Sequence, residues 1–369
     1  MLLFELLSMA LGSKKSLSRT YSDKEWWACY EMAEKQGVVG VCFGAIDAVL
    51  STSLLKGENT IPFELKMQWI GVAELCRQMY NLHKSVIVQL ADFYSKHSVG
   101  VLLLKGYGLS LDYPVPELRP VGDIDIYLGS SNYSLKREGL AFDIGDELIC
   151  DELGILVESG FHKHSNFIFK GVSVENHHKF LDDELHESNR RFEKILESCL
   201  SASKILVCPI TNCFLPTPTW NALFLLRHAG EHFAVNEISL RHILDLGTFF
   251  KVHNSEIEWE FVLNVYENEG MLPFYDAIAT ICVCYLGINA CSFRGYRHNV
   301  KLADKVLDDI FLKKKELPMS PEGIRGFIKA KYCAQKALRW WRNRWKFHMV
   351  YRENLWKCFW TLAVNRIRS

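Results

Sequence analysis

Two acidic residues of this chain, Asp123 and Asp125, are separated by a single apolar residue, Ile124. Alternate side chains of a β-strand point to the same face, so the two carboxylates would lie side by side. Like charges on a buried strand repel each other, and a bound cation is the usual way to keep such a pair. Mg²⁺ prefers hard oxygen ligands and often shares them with substrate phosphates. The pair therefore predicts a metal-dependent phosphoryl- or nucleotidyl-transfer site.

Five further residues have the chemistry that such a site needs. Gly106 would let the backbone approach a triphosphate, and the helix expected behind it would offer unpaired N–H groups. Lys105 and Arg119 would neutralise the charge that grows on the phosphates in the transition state. Glu175, at the end of a predicted strand, is the candidate third carboxylate of a two-metal site. His177 is two residues further along, so it would share the face of Glu175.

A pair of histidines marks a predicted helix further along the chain. His228 and His232 are four residues apart, so their rings would share one helix face. With Glu231 they also spell the His-x-x-Glu-His pattern of inverted zinc proteases. A zinc hydrolase is a minor alternative, because no residue stands out as a third zinc ligand. The two rings are otherwise either satisfied core histidines or part of a cleft beside the carboxylates.

The pattern of apolar residues predicts helices at both ends of the chain and strands between them. Apolar residues recur every three or four positions from Leu65 to Met79, which is helical spacing. Short apolar runs before Lys105 and around the turn Lys170–Gly171 indicate strands. We predict an N-terminal helical region at 1–98, a strand-containing core at 99–215, a helical domain that completes the cleft at 216–320, and a helical tail at 321–369.

Composition limits the class of protein. The chain has 369 residues, 49% of them hydrophobic and 23% charged, as is ordinary for a soluble protein. The 12 cysteines are scattered and form no C-x-x-C motif, which favours reduced thiols in a cytoplasmic protein. No apolar run approaches the length of a membrane span.

The C-terminal tail differs in charge from the rest of the chain. Residues 325–369 contain twelve Lys or Arg and one acid, a net charge of +11, whereas the remaining residues carry −11. Tryptophans and arginines alternate around Trp340 and Trp341, and a second aromatic group includes Phe359 and Trp360. Three interpretations remain open: a helix packed on the protein, peripheral contact with an anionic membrane surface, or RNA binding.

The motifs around the acidic residues resemble a known family. The Lys105–Gly106 turn, Arg119 followed by Asp123-Ile-Asp125, and Glu175-Asn-His177 are similar to the motifs of the uncharacterised nucleotidyltransferase family, within the polymerase-beta-like superfamily. The resemblance covers about residues 100 to 260 and includes the later segment with His228, His232, Arg241 and Asp245. The Lys-Gly turn and the proline-rich spacer after it depart from the wider superfamily, in which Gly-Gly or Gly-Ser is usual.

This resemblance implies an α+β fold with a polymerase-beta-like nucleotidyltransferase core, flanked by helical regions. It implies a nucleoside triphosphate donor and two Mg²⁺ ions, or Mn²⁺ in their place. The implied metal ligands and catalytic residues are Asp123, Asp125 and Glu175. The implied nucleotide- or phosphate-binding residues are Lys105, Gly106, Arg119, His177, His228, His232 and Arg241.

We therefore expect an enzyme that moves a nucleoside monophosphate from a nucleoside triphosphate to a hydroxyl of an unknown acceptor. The alternative is a non-catalytic nucleotide-binding or interaction protein that keeps the same fold. The motifs do not identify the acceptor.

Overall fold

The structure is a computed structural model, and it describes residues 1–53, 61–130, 141–159, 163–184, 186–202, 206–209, 211–235, 238–312 and 327–356. Two members of the second aromatic group of the tail, Phe359 and Trp360, lie outside these residues, whereas its first member, Trp356, is described. Thirteen α-helices lie in the described part: α1 Leu2–Ala10, α2 Asp23–Lys35, α3 Val39–Ser53, α4 Phe63–Lys96, α5 Tyr107–Ser110, α6 Ala141–Leu153, α7 Glu187–Ala202, α8 Pro218–Val235, α9 Leu240–His253, α10 Trp259–Asn268, α11 Leu272–Leu286, α12 Val300–Phe311 and α13 Phe327–Val350.

Six strands form one mixed sheet in the described residues, so the α+β fold class is confirmed. The strands are β1 Val99–Leu103, β2 Ile124–Ser130, β3 His164–Phe169, β4 Val172–His177, β5 Leu206–Val207 and β6 Phe214–Leu215. Their order is β3-β4-β2-β1-β6-β5. Strand β2 runs antiparallel to β1 and parallel to β4, which brings the two predicted acidic strands next to each other.

The β3–β4 hairpin confirms the turn predicted at Lys170–Gly171. Both turn residues have positive φ, 49° at Lys170 and 82° at Gly171. Glycine adopts that conformation without steric cost, so Gly171 is suited to this position. The turn fixes the register of the two strands, in which Phe169 pairs with Val172 and His164 pairs with His177.

Helix α4 supports one face of the sheet. The predicted helical spacing is confirmed, and the helix continues without a break for 34 residues. Its C-terminal half buries Val86, Leu90 and Tyr94 in the same apolar cluster as Ile126 and Phe167 of the sheet. The buried face follows the i, i+4 spacing of an amphipathic helix, so the hydrophobic pattern accounts for its docking.

The N-terminal and C-terminal helices share one apolar core rather than forming separate cores. The Phe4 ring of α1 lies 5.1 Å from the Tyr285 ring of α11, measured between centroids. Gln36, at the end of α2, donates to the Ile310 carbonyl and accepts from the Leu240 amide. The four predicted segment boundaries stay predictions, but the first and third segments pack together. No described helix is long and apolar enough to cross a membrane.

A buried ion pair ties the loop before β2 to helix α9. Arg119 donates from Nε and Nη2 to both carboxylate oxygens of Asp245, each at 2.8 Å. Tyr113 donates to the same carboxylate at 2.7 Å. Burial alone would raise the pKa of Asp245, but the guanidinium charge and the hydrogen bonds outweigh it, so the pKa lies below its usual value. The pair therefore holds the segment that leads into Asp123 against the helical region.

We predict that Asp245→Asn destabilises the folded protein by about 3–5 kcal/mol, because it leaves the Arg119 charge buried without a counterion. Urea unfolding would measure the change. Arg19→Ala removes an ion pair with Glu25 at the surface, so it serves as a control and should leave the urea midpoint nearly unchanged. An Asp245→Asn protein with the wild-type midpoint would contradict the assignment.

Candidate active site

The Asp125 carboxylate lies at the centre of the candidate site. Asp125 is on β2 and is 5% exposed. Its Oδ1 atom accepts from Lys105 Nζ at 2.9 Å and lies 3.1 Å from His177 Nε2. Burial raises the pKa of Asp125, but the Lys105 charge and the His177 hydrogen bond outweigh burial and lower it overall. Asp125 is thus held as a carboxylate although it is almost inaccessible to solvent.

Glu175 lies beside Asp125 because their strands are paired in parallel register. Its Oε2 atom is 3.3 Å from His177 Nε2. The other ring nitrogen of His177, Nδ1, lies 3.1 Å from the Lys179 carbonyl, which can only accept a hydrogen bond. A proton on Nδ1 satisfies that contact and fixes the ring so that Nε2 faces the two carboxylates. Such an outer hydrogen bond is how proteins usually orient a metal-binding histidine. Burial lowers the pKa of His177, but Asp125 and Glu175 outweigh burial and raise it, which favours a second proton on Nε2 that donates to Asp125.

Asp125, Glu175 and His177 could hold a divalent metal ion. One ligand atom from each lies within 4.8 Å of the others, and this is the one such group of three among the described residues. Two carboxylates and one imidazole are a suitable donor set for a divalent cation, and the imidazole makes the set less specific for Mg²⁺ than oxygens alone. The residues present therefore fit a bound metal.

The metal-ligand group differs from the predicted one in one member. Asp123 is exposed and precedes the first residue of β2, so it lies at the rim and not among the three clustered ligands. Its charge still contributes to raising the pKa of Lys105. His177, predicted as a nucleotide contact, lies in the group instead.

The turn after β1 places Lys105 and Gly106 against the acidic strand. Gly106 has φ 61°, and an added Cβ would lie 3.4 Å from the Asp123 carbonyl and 3.9 Å from Asp125 Oδ2. Glycine adopts this positive φ without strain, whereas an added Cβ would make only ordinary van der Waals contacts. The helix behind the turn, α5, has only four residues, so its dipole is small.

Lys105 connects the sheet to helix α8. Its Nζ atom lies 2.9 Å from Asp125 and 3.5 Å from His228 Nε2. Burial lowers the pKa of Lys105, but the neighbouring carboxylates, Asp125 first, outweigh burial and raise it. The ammonium is therefore held in place by charge, at the junction between the carboxylates and the histidines of α8.

Three histidines form a row beside Lys105. The ring centroids of His228 and His232 are 4.6 Å apart, and those of His232 and His242 are 5.8 Å apart. Burial lowers the pKa of His232 and of His242 to about 4, and that of His228 well below its usual value. The row is thus neutral near pH 7. Arg241 lies close enough to contribute to the lowered pKa of His242.

The His-x-x-Glu-His pattern does not form a metal site in the described residues. The Glu231 carboxylate accepts a hydrogen bond from Asn189 Nδ2, and His228 faces Lys105. His228, Glu231 and His232 are absent from the described group of potential metal ligands. The zinc hydrolase alternative therefore has no support in the structure.

Arg119 contacts a carboxylate of the protein, whereas the sequence predicts a contact with phosphate. It is 5% exposed, and each of its three guanidinium nitrogens donates within the protein, to Asp245 or to the Pro120 carbonyl. A buried, bidentate guanidinium of this kind positions backbone and is not available for a ligand without breaking the pair. The structure gives Arg119 a positioning role.

Two residues near the site were not anticipated from the sequence. His164 Nε2 lies 3.8 Å from Glu175 Oε2, and its ring is 5.2 Å from that of His177. The hairpin register would have revealed it, because a turn at Lys170–Gly171 pairs residues whose numbers add to 341. His83 of α4 contacts the Gly122 carbonyl at 2.6 Å and so supports the segment before Asp123.

We predict that His232→Asn reduces the loss of stability on acidification. Unfolding raises the pKa of His232 from about 4 to its usual 6.5. Between those values the unfolded chain binds a proton that the folded protein excludes, so stability falls as the pH drops. From about pH 7 to about pH 5, the variant should lose about 1–2 kcal/mol less than the wild type.

Urea unfolding at the two pH values would measure this difference. Between about pH 7 and about pH 8 the two proteins should change nearly in parallel, since His232 is mostly neutral in both states there. An equal loss of stability on acidification in both proteins would show that burial does not suppress protonation of His232.

Comparison with known protein families identifies the family of this chain. A search of the curated proteins and a search of the solved structures found no match. A family model described as "uncharacterised nucleotidyltransferase" matches residues 22–287, which include every strand of the sheet and the helices α8 and α9. The match extends over more than half of the chain and agrees with the resemblance carried by the acidic motifs. The chain belongs to the uncharacterised nucleotidyltransferase family.

Proposed function

We propose that this protein is a metal-dependent nucleotidyltransferase that moves a nucleoside monophosphate from a nucleoside triphosphate to a hydroxyl group of an acceptor. The observation that carries the proposal is the buried cluster of Asp125, Glu175 and His177 on adjacent strands, beside Lys105, in a member of this family. Family membership supports general nucleotidyl transfer, and the donor set supports a divalent metal.

In this proposal Asp125, Glu175 and His177 hold Mg²⁺ or Mn²⁺. Asp123, at the rim of the site, is the residue placed to help with a second ion. A bound divalent ion would stabilise the charge on the α-phosphate and on the departing pyrophosphate. Glu175, which is partly accessible, is the candidate base that takes the proton of the acceptor hydroxyl. The hydroxyl oxygen bonds to the α-phosphorus, and the bond from that phosphorus to pyrophosphate breaks.

The cations and imidazoles near the carboxylates would bind the triphosphate. Lys105 is the nearest cation, and its flexible side chain can move from Asp125 to a phosphate oxygen. His228 and His232 are neutral at pH 7, so they would act as hydrogen-bond donors rather than as charges. Arg241 would add a cation at the end of the row.

A non-catalytic nucleotide-binding protein is the second candidate, and one observation favours it. Lys105 and His177 already satisfy Asp125 Oδ1 without a metal ion. A protein that never bound a metal could use the same arrangement as a structural ion pair. Metal binding and pyrophosphate release separate the two candidates.

A cytoplasmic location is part of the proposal. Six buried cysteines of the described residues lie outside any disulfide: Cys29, Cys42, Cys76, Cys208, Cys213 and Cys282. Free thiols without pairing are usual in a reducing compartment.

We predict that His177→Ala weakens Mn²⁺ binding at least about tenfold, because the cluster loses one of three ligands. Electron paramagnetic resonance of free Mn²⁺ would measure the affinity. His178→Ala is the matched control, since the His178 ring packs against Phe142, 4.6 Å away between centroids. Equal affinities for the wild type and His177→Ala would remove His177 from the ligand set.

We predict that Asp125→Asn lowers nucleotide-dependent pyrophosphate release by at least about a hundredfold, because it removes charge from the centre of the site. Each of the four nucleoside triphosphates would be tested with Mg²⁺ and with Mn²⁺, and a cell extract would supply acceptors. Asp151→Asn, an exposed change on α6, is the control and should keep full activity.

Two outcomes would change the proposal. Wild-type activity in Asp125→Asn would contradict the site assignment. Thermal stabilisation of the wild type by a nucleoside triphosphate, with no pyrophosphate release under any condition, would establish the non-catalytic alternative.

A further inference from the structure

Helix α13 has one face packed on the helical core. The Trp345 ring lies 5.4 Å from the Phe233 ring in an edge-to-face contact, measured between centroids. Val350 is fully buried and lies close to Gly230 of α8, where an added Cβ would be 3.0 Å from a Val350 methyl group. Arg227 donates to the Val350 carbonyl at 2.5 Å. The helix is therefore fixed on the protein and can present its other face in a defined orientation.

Three large apolar side chains of this segment face solvent. Leu338 is 58% exposed, Trp341 45% and Trp356 59%. Leu338 and Trp341 are three residues apart on the helix, so they are neighbours on its surface. The Trp341 and Trp356 rings are 5.8 Å apart and tilted by 47°. Together these residues form one patch, which we name the Leu338–Trp341–Trp356 patch.

Exposed arginines accompany this patch. Arg342 and Arg344 follow Trp341 on the helix, and the guanidinium of Arg344 lies 4.3 Å from the centre of the Trp341 ring. Arg352 is also exposed, but its guanidinium donates to the Asn268 carbonyl. Glu353 is the only acid between residues 325 and 369, and it turns inward, where it pairs with His186 at 2.6 Å. That acid therefore does not neutralise the arginines. The patch combines exposed tryptophans with a positive rim.

We propose that the Leu338–Trp341–Trp356 patch binds the surface of a membrane that contains anionic phospholipids. Tryptophan and leucine side chains bury their apolar surface at the boundary between headgroups and acyl chains. Arginines beside them would pair with lipid phosphates, and the long-range attraction of a basic segment to an anionic leaflet would add to this. No described helix spans a membrane, so the contact would be peripheral.

The geometry favours a lipid surface over single-stranded RNA. RNA binding would require an aromatic face on which a base can stack. One face of Trp341 is covered by Arg344, and Trp356 lies against the same ring. The exposed aliphatic side chain of Leu338 also has no counterpart in phosphate recognition. The apolar surface that Leu338, Trp341 and Trp356 expose is suited to insertion between lipid headgroups.

Vesicle binding by the full chain tests the proposal. Co-sedimentation would compare vesicles of phosphatidylcholine alone with vesicles that contain about 30% phosphatidylglycerol, at about 0.1 M and about 0.5 M NaCl. We expect binding to the anionic vesicles only, and weaker binding at the higher salt. The double change Trp341→Ser with Trp356→Ser should reduce the bound fraction at least about tenfold. Arg342→Glu with Arg344→Glu should reduce it most at low salt.

Matched changes on helix α4 serve as controls. Phe63 is 76% exposed and Met67 49% exposed, but acids such as Glu64 and Glu74 lie on the same exposed surface. Phe63→Ser with Met67→Ser removes comparable apolar area without touching the patch, so it should leave vesicle binding unchanged. Circular dichroism of each variant would confirm that it folds, as expected for exposed positions.

Three results would overturn the proposal. The first is no binding of the wild type to anionic vesicles at low salt. The second is binding that the tryptophan changes leave intact. The third is retention of single-stranded RNA, lost in the tryptophan variant, by a protein that does not bind vesicles, since this would assign the patch to nucleic acid. None of these measurements involves nucleotide transfer, so they do not depend on the proposed function.

Discussion

The buried carboxylate of Asp125 is the constraint around which the rest of the site is organised. Asp125 is 5% exposed, and burying its charge costs folding free energy unless other charges and hydrogen bonds compensate it. Lys105 and His177 provide that compensation, and each is held by a different element of the fold. Lys105 comes from the turn after β1, and His177 comes from the end of β4. The strand order that places β2 between β1 and β4 is what lets both reach one oxygen atom.

The charge of Lys105 also affects the histidines of the helical region. Lys105 also approaches His228, and a cation next to a buried imidazole disfavours protonation of that ring. The row of His228, His232 and His242 is therefore neutral for two reasons, burial first and the nearby positive charges second. Lys105 Nζ lies within 3.5 Å of both Asp125 and His228, so this ammonium connects the carboxylates with the row of neutral rings.

Local features of the fold could be predicted from the sequence, whereas contacts between distant segments could not. The turn at Lys170–Gly171 and the alternation of Glu175 and His177 follow from rules that act over a few residues. Applied to the register of the hairpin, the same rules also predict that His164 pairs with His177. The pair between Arg119 and Asp245 joins residues 126 positions apart, and nothing in either local pattern links them. The local pattern around Arg119 therefore predicts a phosphate contact, although its partner is a carboxylate of α9.

Lys105 also bears on how metal and nucleotide would enter the proposed site. Its ammonium and a divalent ion would compete for the same Asp125 oxygen, because both are cations that need close contact with a carboxylate. A triphosphate offers Lys105 another anionic partner at the moment when the metal takes its place. Metal and triphosphate would bring charges of opposite sign into the cleft together, and the lysine could pass from the Asp125 carboxylate to a phosphate oxygen. A metal alone would have to displace the lysine with no compensation, so the buried pair between Lys105 and Asp125 favours joint binding of metal and nucleotide over binding of the metal by itself.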